Sequence, residues 1–186
     1  MTFIVGQHRK FVLAGHDTLD PTKVTGAEQI LPLGYLWTSL PGIDDNGTGT
    51  NGKNQGTRTW VYIKADGILA NGQVVARVTG DKDYVGDVAA TGTASPNILG
   101  VAQYAIAAGE YGFIMRDGVA EVAHDATLGA AANGTVVVAS ASTAGRVDNL
   151  VASGVAYDQD EAAQRDSVIG TTLDAANNLF RIHCTG

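Results

Sequence analysis

Gly47-Thr48-Gly49-Thr50-Asn51-Gly52-Lys53-Asn54 comes within one residue of the phosphate-binding loop G-x-x-x-x-G-K-[ST]. Such a loop cradles phosphates with its backbone N–H groups, and its final hydroxyl holds Mg²⁺. Here Asn54 stands in the hydroxyl position. Leu40-Pro41-Gly42-Ile43 is no clear strand upstream, and Gln55-Gly56-Thr57 opens no helix whose N-terminus would face a phosphate. Asp44-Asp45-Asn46-Gly47 matches the start of a calcium loop, but the twelfth position is Gln55 where a bidentate Glu is needed. His183 and Cys184 are both metal-ligand types, yet neighbours on a strand point to opposite faces, and His8, His16 and His124 have no ligand spacing to them. Asp158 and Glu161 would share one helix face at i and i+3, where acids at a helix start are the simpler reading. A small hydrolase would need a His–nucleophile pair or clustered perturbed carboxylates, and His124-Asp125 is the pair to test. Cys184, two residues from the end, is hard to enclose as a nucleophile and reads as a buried or idle thiol. None of these groups supports a reaction mechanism. The expectation is a protein that is not an enzyme and uses neither metal nor cofactor.

Whatever the protein does must therefore come from its elements. Of its 186 residues, 45% are apolar, enough for a core, while aromatics are only 6%, so that core is expected to be Val, Ile, Leu and Ala. The 24 glycines point to many tight turns between β-type apolar pieces. A net charge of −7 argues against a nucleic-acid partner and against anionic lipid. No run of about 18 apolar residues would span a membrane, no signal-peptide pattern opens the chain, and cytosolic synthesis is expected. The single cysteine excludes an intramolecular disulfide.

The pattern reads as all-β: a small β-barrel or β-sandwich, β-tulip-like, with an extended N-terminal arm and at most one short helix. Residues 1–58 form the arm and a Gly/Asn/Thr-rich loop, with short strands at Thr2–Val5 and Lys10–Leu13. Residues 59–186 form the barrel core. Strands are expected at Trp60–Ala65, Gln73–Thr79, Ile98–Val101, Tyr111–Met115, Val119–Val122, Thr135–Ala139 and Leu179–His183. Asp117-Gly118, between two apolar pieces, is a strong hairpin signal. Tyr157–Arg165 is the helix candidate. A faint echo links Ile98-Leu99-Gly100 and Phe113-Ile114-Met115 to Val168-Ile169-Gly170 and Phe180-Arg181-Ile182, without amounting to a repeat architecture.

Several pieces, in order, resemble the tailed-bacteriophage head decoration (capsid cement) proteins. They are Val61-Tyr62-Ile63-Lys64-Ala65-Asp66-Gly67-Ile68-Leu69-Ala70-Asn71-Gly72-Gln73-Val74-Val75, then Ile98-Leu99-Gly100-Val101-Ala102, then Ala107-Ala108-Gly109-Glu110-Tyr111-Gly112-Phe113. Gly118-Val119-Ala120-Glu121-Val122 and Ser142-Thr143-Ala144-Gly145-Arg146-Val147 follow. The resemblance covers residues 60–186. It implies a small all-β barrel on the outer surface of the virion, a homotrimer at threefold or quasi-threefold axes that clamps neighbouring subunits of the major capsid protein. Interface candidates are Phe3, Ile4, Val5 and Phe11 as apolar anchors, with His8, Arg9 and Lys10 as polar partners. Leu33, Tyr35, Leu36 and Trp37 form a second group that reads equally well as core. The rival reading is a fibre-associated or host-recognition β-module binding glycans through Trp37, Trp60 and the loop 44–54.

Overall fold

A computed structural model describes Pro21 and residues 24–39, 56–78, 80, 84–150 and 168–186. The expected strands at Thr2–Val5 and Lys10–Leu13, most of the polar loop, the helix candidate Tyr157–Arg165 and the interface candidates Phe3, Ile4, Val5, His8, Arg9, Lys10 and Phe11 lie outside the described residues. The fold is all-β. Its strands are β1 (Thr25–Gly26), β2 (Leu36–Ser39), β3 (Arg58–Ala65), β4 (Val74–Arg77), β5 (Val85–Val88), β6 (Ile98–Val101), β7 (Tyr111–Glu121), β8 (Val136–Ala139), β9 (Val147–Asn149), β10 (Val168–Asp174) and β11 (Leu179–His183). Short 3-10 turns are the longest helical pieces among the described residues.

Five strands close into a barrel in the order β3-β5-β4-β6-β7, with β7 returning to β3. The β3–β5 contact is parallel and the rest antiparallel. Alternation along each strand sends one set of side chains inward. Val61, Ile63, Ala65, Val75, Leu99 and Ile114 fill the barrel, together with Leu69, Ala102 and Ile106, all buried. The filling leaves no room on β5: a Cβ on Gly86 would sit 2.7 Å from Val75 Cγ1 and 3.1 Å from Ile63 Cδ1.

The opposite face of β3 is also buried, which is why Trp60–Ala65 reads apolar on both faces. Trp60 and Tyr62 join Phe113, Met115, Trp37 and Leu31 in a second core on the outside of the barrel. This corrects the expectation of a purely aliphatic core. Aromatics are few, but Trp37, Trp60, Tyr62, Phe113 and Phe180 are all buried here. Tyr62 meets Phe113 edge-on at 5.1 Å between centroids, and its Oη accepts from the Ile30 N–H at 3.3 Å. Residues 24–39 thus lie on the barrel, held by β1 on β7 and by β2 on β3.

Asp117-Gly118 makes no hairpin. It lies inside β7, where residues up to Asp117 pair with β3 and those from Asp117 onward pair with β11. Gly118 takes φ +122 and packs against Arg58, so the pair marks where one strand passes from one ring to the next.

That second ring repeats the first, register for register. The C-terminal half of β7 pairs β11, then β10, β8 and β9, and a parallel bridge from Val147 to His124 closes it. Val75 opposite Gly100 corresponds to Val137 opposite Gly170, and each pairing carries a one-residue bulge, at Leu99 and at Ile169. Ala76–Asp87 corresponds to Val138–Asp148, and Val61–Ile114 to Ala120–Phe180. The turn bonds match as well. Gly72 N–H donates to Ala102 O at 2.7 Å and Gly134 N–H to Thr172 O at 2.8 Å; Asp66 N–H donates to Gly86 O at 2.8 Å and Asp125 N–H to Val147 O at 2.7 Å. Residues 61–115 and, among the described residues, 120–150 and 168–181 are therefore two copies of one strand plan sharing β7. Of the faint echo in the sequence, Ile98-Leu99-Gly100 with Val168-Ile169-Gly170 falls on this repeat, whereas Phe113-Ile114-Met115 is equivalent to Leu179-Phe180-Arg181, one residue before Phe180-Arg181-Ile182.

Candidate partner-binding surface

On β2 the alternation turns Trp37 inward, only 3% exposed, and leaves Leu36 outward at 50%. Tyr35 and Leu33 are half-buried and pack against the outer core. Of the second interface group, Leu36 is thus the side chain that offers apolar surface, while Trp37 belongs to the core. Among the described residues β2 has a partner strand, β3, on one side only. A strand edge of this kind can add a strand from another chain.

Leu36 borders an open hollow lined by Thr59, Arg116, Asp117, His183, Cys184 and Thr185. The end of the chain is tied down there. Arg116 Nε donates to Cys184 O at 3.1 Å, its Nη2 to Thr185 O at 3.4 Å, and Cys184 N–H donates to Arg116 O at 3.0 Å. His183 Nδ1 contacts Asp117 Oδ2. The rim therefore carries both signs of charge around one exposed leucine, the arrangement of an apolar anchor with polar surroundings. Cys184 contributes no chemistry: burial pushes its thiol up to about 12, so it stays protonated at neutral pH.

His124 and Asp125 are brought together, but in structural roles. The His124 ring stacks on Phe180 with centroids 6.2 Å apart. Asp125 Oδ1 accepts from Thr127 N–H at 3.2 Å and Thr127 Oγ1 at 2.7 Å, and its Oδ2 accepts from Ser140 Oγ at 2.7 Å. Ser140 Oγ in turn accepts from the N–H groups of Ser142 and Thr143, both at 3.0 Å. These donors, the Thr127 hydroxyl first, hold the Asp125 carboxyl far below the usual carboxylate range. A carboxylate so engaged is a poor proton acceptor and acts as a loop staple.

The rings of Trp37 and Trp60 are 3% and 0% exposed, so neither can stack on a sugar at the surface. Among the described residues no three His, Cys, Asp or Glu side chains gather as a metal site, and no helix is long and apolar enough to cross a membrane. Sequence reasoning named Leu36 only as one of a group. The period-2 alternation Tyr35-Leu36-Trp37-Thr38 was the signal that separates it from Trp37. Comparison with protein-family models, with curated proteins and with solved structures found no match for this chain.

Proposed function

We propose that this chain is a structural capsid decoration protein. It binds the outside of a phage head as a homotrimer and stabilises contacts between subunits of the major capsid protein. The observation that carries the reading is where the resembling stretches fall. Residues 61–75 are β3, its turn and β4; residues 98–102 are β6 and the residue after it; residues 107–113 lead into β7; and residues 118–122 run through the end of β7. The resemblance thus falls mainly on one closed barrel and on the strand that passes into the next, with residues 142–147 on the turn into β9 of the second ring. A closed ring presents few free edges and suits a body that must sit on a lattice without uncontrolled strand pairing. Cementing needs repeated weak contacts, and a trimer engaging three equivalent sites gains avidity over a single contact. Leu36 and the hollow beside it supply one such contact per protomer.

The test is co-sedimentation of the purified protein with expanded and unexpanded phage shells, followed by heating. Saturable binding to expanded shells in multiples of three, with a higher rupture temperature, is expected. Leu36→Asp should retain the fold and weaken attachment at least tenfold. Absence of binding to either shell, with binding to a glycan array, would replace this reading with the host-recognition module.

A further inference from the structure

The two rings meet where β7 passes from one to the other, and residues 184–186 sit in that junction. On the side of β7 opposite β3, β6 shares a single register pair, Val101 with Met115, and from Asp117 onward β11 takes its place. Arg116 lies between the two. Cys184 continues β11 by one residue, its N–H donating to Arg116 O at 3.0 Å. The tail then crosses to β6, where Gly186 N–H donates to Ile98 O at 3.1 Å. The Arg116 side chain holds the crossing: its Nε donates to Cys184 O at 3.1 Å and its Nη2 to Thr185 O at 3.4 Å. Three residues thus join β7 of both rings to β6 of the first. The seat is shaped for glycine, since a Cβ on Gly186 would lie 2.4 Å from Ile98 O and 3.0 Å from Pro96 O.

We propose that residues 184–186 are a latch that opens without either ring unfolding, and that its closed form is the one presented to a partner beside Leu36. The latch is held differently from the rings. Each ring is closed by whole strands over buried apolar side chains. The latch buries one side chain, Cys184, leaves Thr185 exposed, and is otherwise fixed by backbone groups and one guanidinium. Few buried contacts mark a segment that opens at lower cost than the core. Its opening has consequences at two places. The Cys184 thiol, buried while the latch is shut, meets solvent. Cys184 and Thr185 also line the hollow with Leu36, Thr59 and Arg116, so an open latch removes one of its walls. A partner seated in the hollow binds the closed form and therefore favours it. The link to a partner rests on the capsid reading above; the latch itself does not.

The test uses the full chain and follows iodoacetamide alkylation of Cys184, its single thiol. Hydrogen exchange of the β4 and β8 amides, one strand in each ring, is measured alongside. Alkylation of the folded chain should be slow and insensitive to urea below the unfolding transition, while exchange of the β4 and β8 amides accelerates with urea. Gly186→Ala, which meets Ile98 O, should raise the alkylation rate about tenfold and leave β4 and β8 protection within about twofold. Arg116→Lys, which keeps the charge and loses the fork of donors, should raise it about threefold. Bound expanded shells should slow alkylation about tenfold. Alkylation that follows urea in step with the core amides, or that neither variant changes, would overturn the latch. Shells that bind and leave alkylation unchanged would overturn its link to the hollow. Shells that do not bind would fail the capsid reading alone, because the latch is read on the free chain.

Discussion

The two rings share a strand plan and differ in what fills them. The first is packed with aliphatic side chains around a glycine on β5, and its outer face is covered by Trp37, Trp60, Tyr62 and Phe113. In the second, Val147 stands where the first has Gly86, Phe180 stands where it has Ile114, and Ala120 replaces Val61. Volume gained at two positions is offset by volume lost at another, as close packing requires. What the rings do not exchange is the glycine at the bulge. A Cβ on Gly100 would lie 2.4 Å from Met115 O, and one on Gly170 would lie 2.3 Å from Arg181 O. Interior residues can be traded among apolar types, but a backbone approach of that closeness admits only glycine.

The comparison can be broken at its strongest points first. Phe180→Ala and Ile114→Ala empty equivalent interior positions. Losses of about 4 and about 3 kcal/mol are expected from urea unfolding, and a negligible loss at either site would mean that side chain does not fill a ring. Next, Gly100→Ala and Gly170→Ala should each cost about 3 kcal/mol, and by similar amounts, because each added methyl meets a backbone carbonyl. A large effect at one and none at the other would break the equivalence. Gly86→Ala tests the difference between the rings, with about 2 kcal/mol lost to overpacking against Val75 and Ile63.

The staple on Asp125 sharpens the comparison through pH. Its folded pKa is depressed, so its contribution is present above the unfolded value of about 3.9 and is lost as pH falls below it. Thermal melts of Asp125→Asn should lose part of the acid-side slope. The smallest effect is at Cys184. Its buried, protonated thiol should resist alkylation at pH 8 in the folded chain and react within minutes in guanidinium, as mass spectrometry would read.

Much of the fold was legible in the sequence because β-branched runs bounded by Gly turns carry it. Trp60–Ala65, Ile98–Val101 and Leu179–His183 match β3, β6 and β11. β5, Val85-Gly86-Asp87-Val88, and β9, Val147-Asp148-Asn149, escaped because their pairing partners, not their own composition, make them strands. The Asp117-Gly118 signal failed because local turn propensity was overridden by two long-range partners on one strand. The repeat was present in Ala70-Asn71-Gly72-Gln73-Val74-Val75 against Ala132-Asn133-Gly134-Thr135-Val136-Val137. Unequal loops hid it, with 28 positions from Gly72 to Gly100 and 36 from Gly134 to Gly170. The partner surface was half legible: alternation separates Leu36 from Trp37, but no sequence pattern shows that Arg116, Asp117 and His183 gather beside it.

The most direct measurement of the repeat is a set of cross-strand nuclear Overhauser contacts in the labelled protein. Contacts between Val75 and Gly100 and between Val137 and Gly170, with Leu99 and Ile169 each bulged out of the ladder, and a contact closing Val147 on His124, are expected. A second ring shifted by one residue, or left open between Val147 and His124, would contradict it.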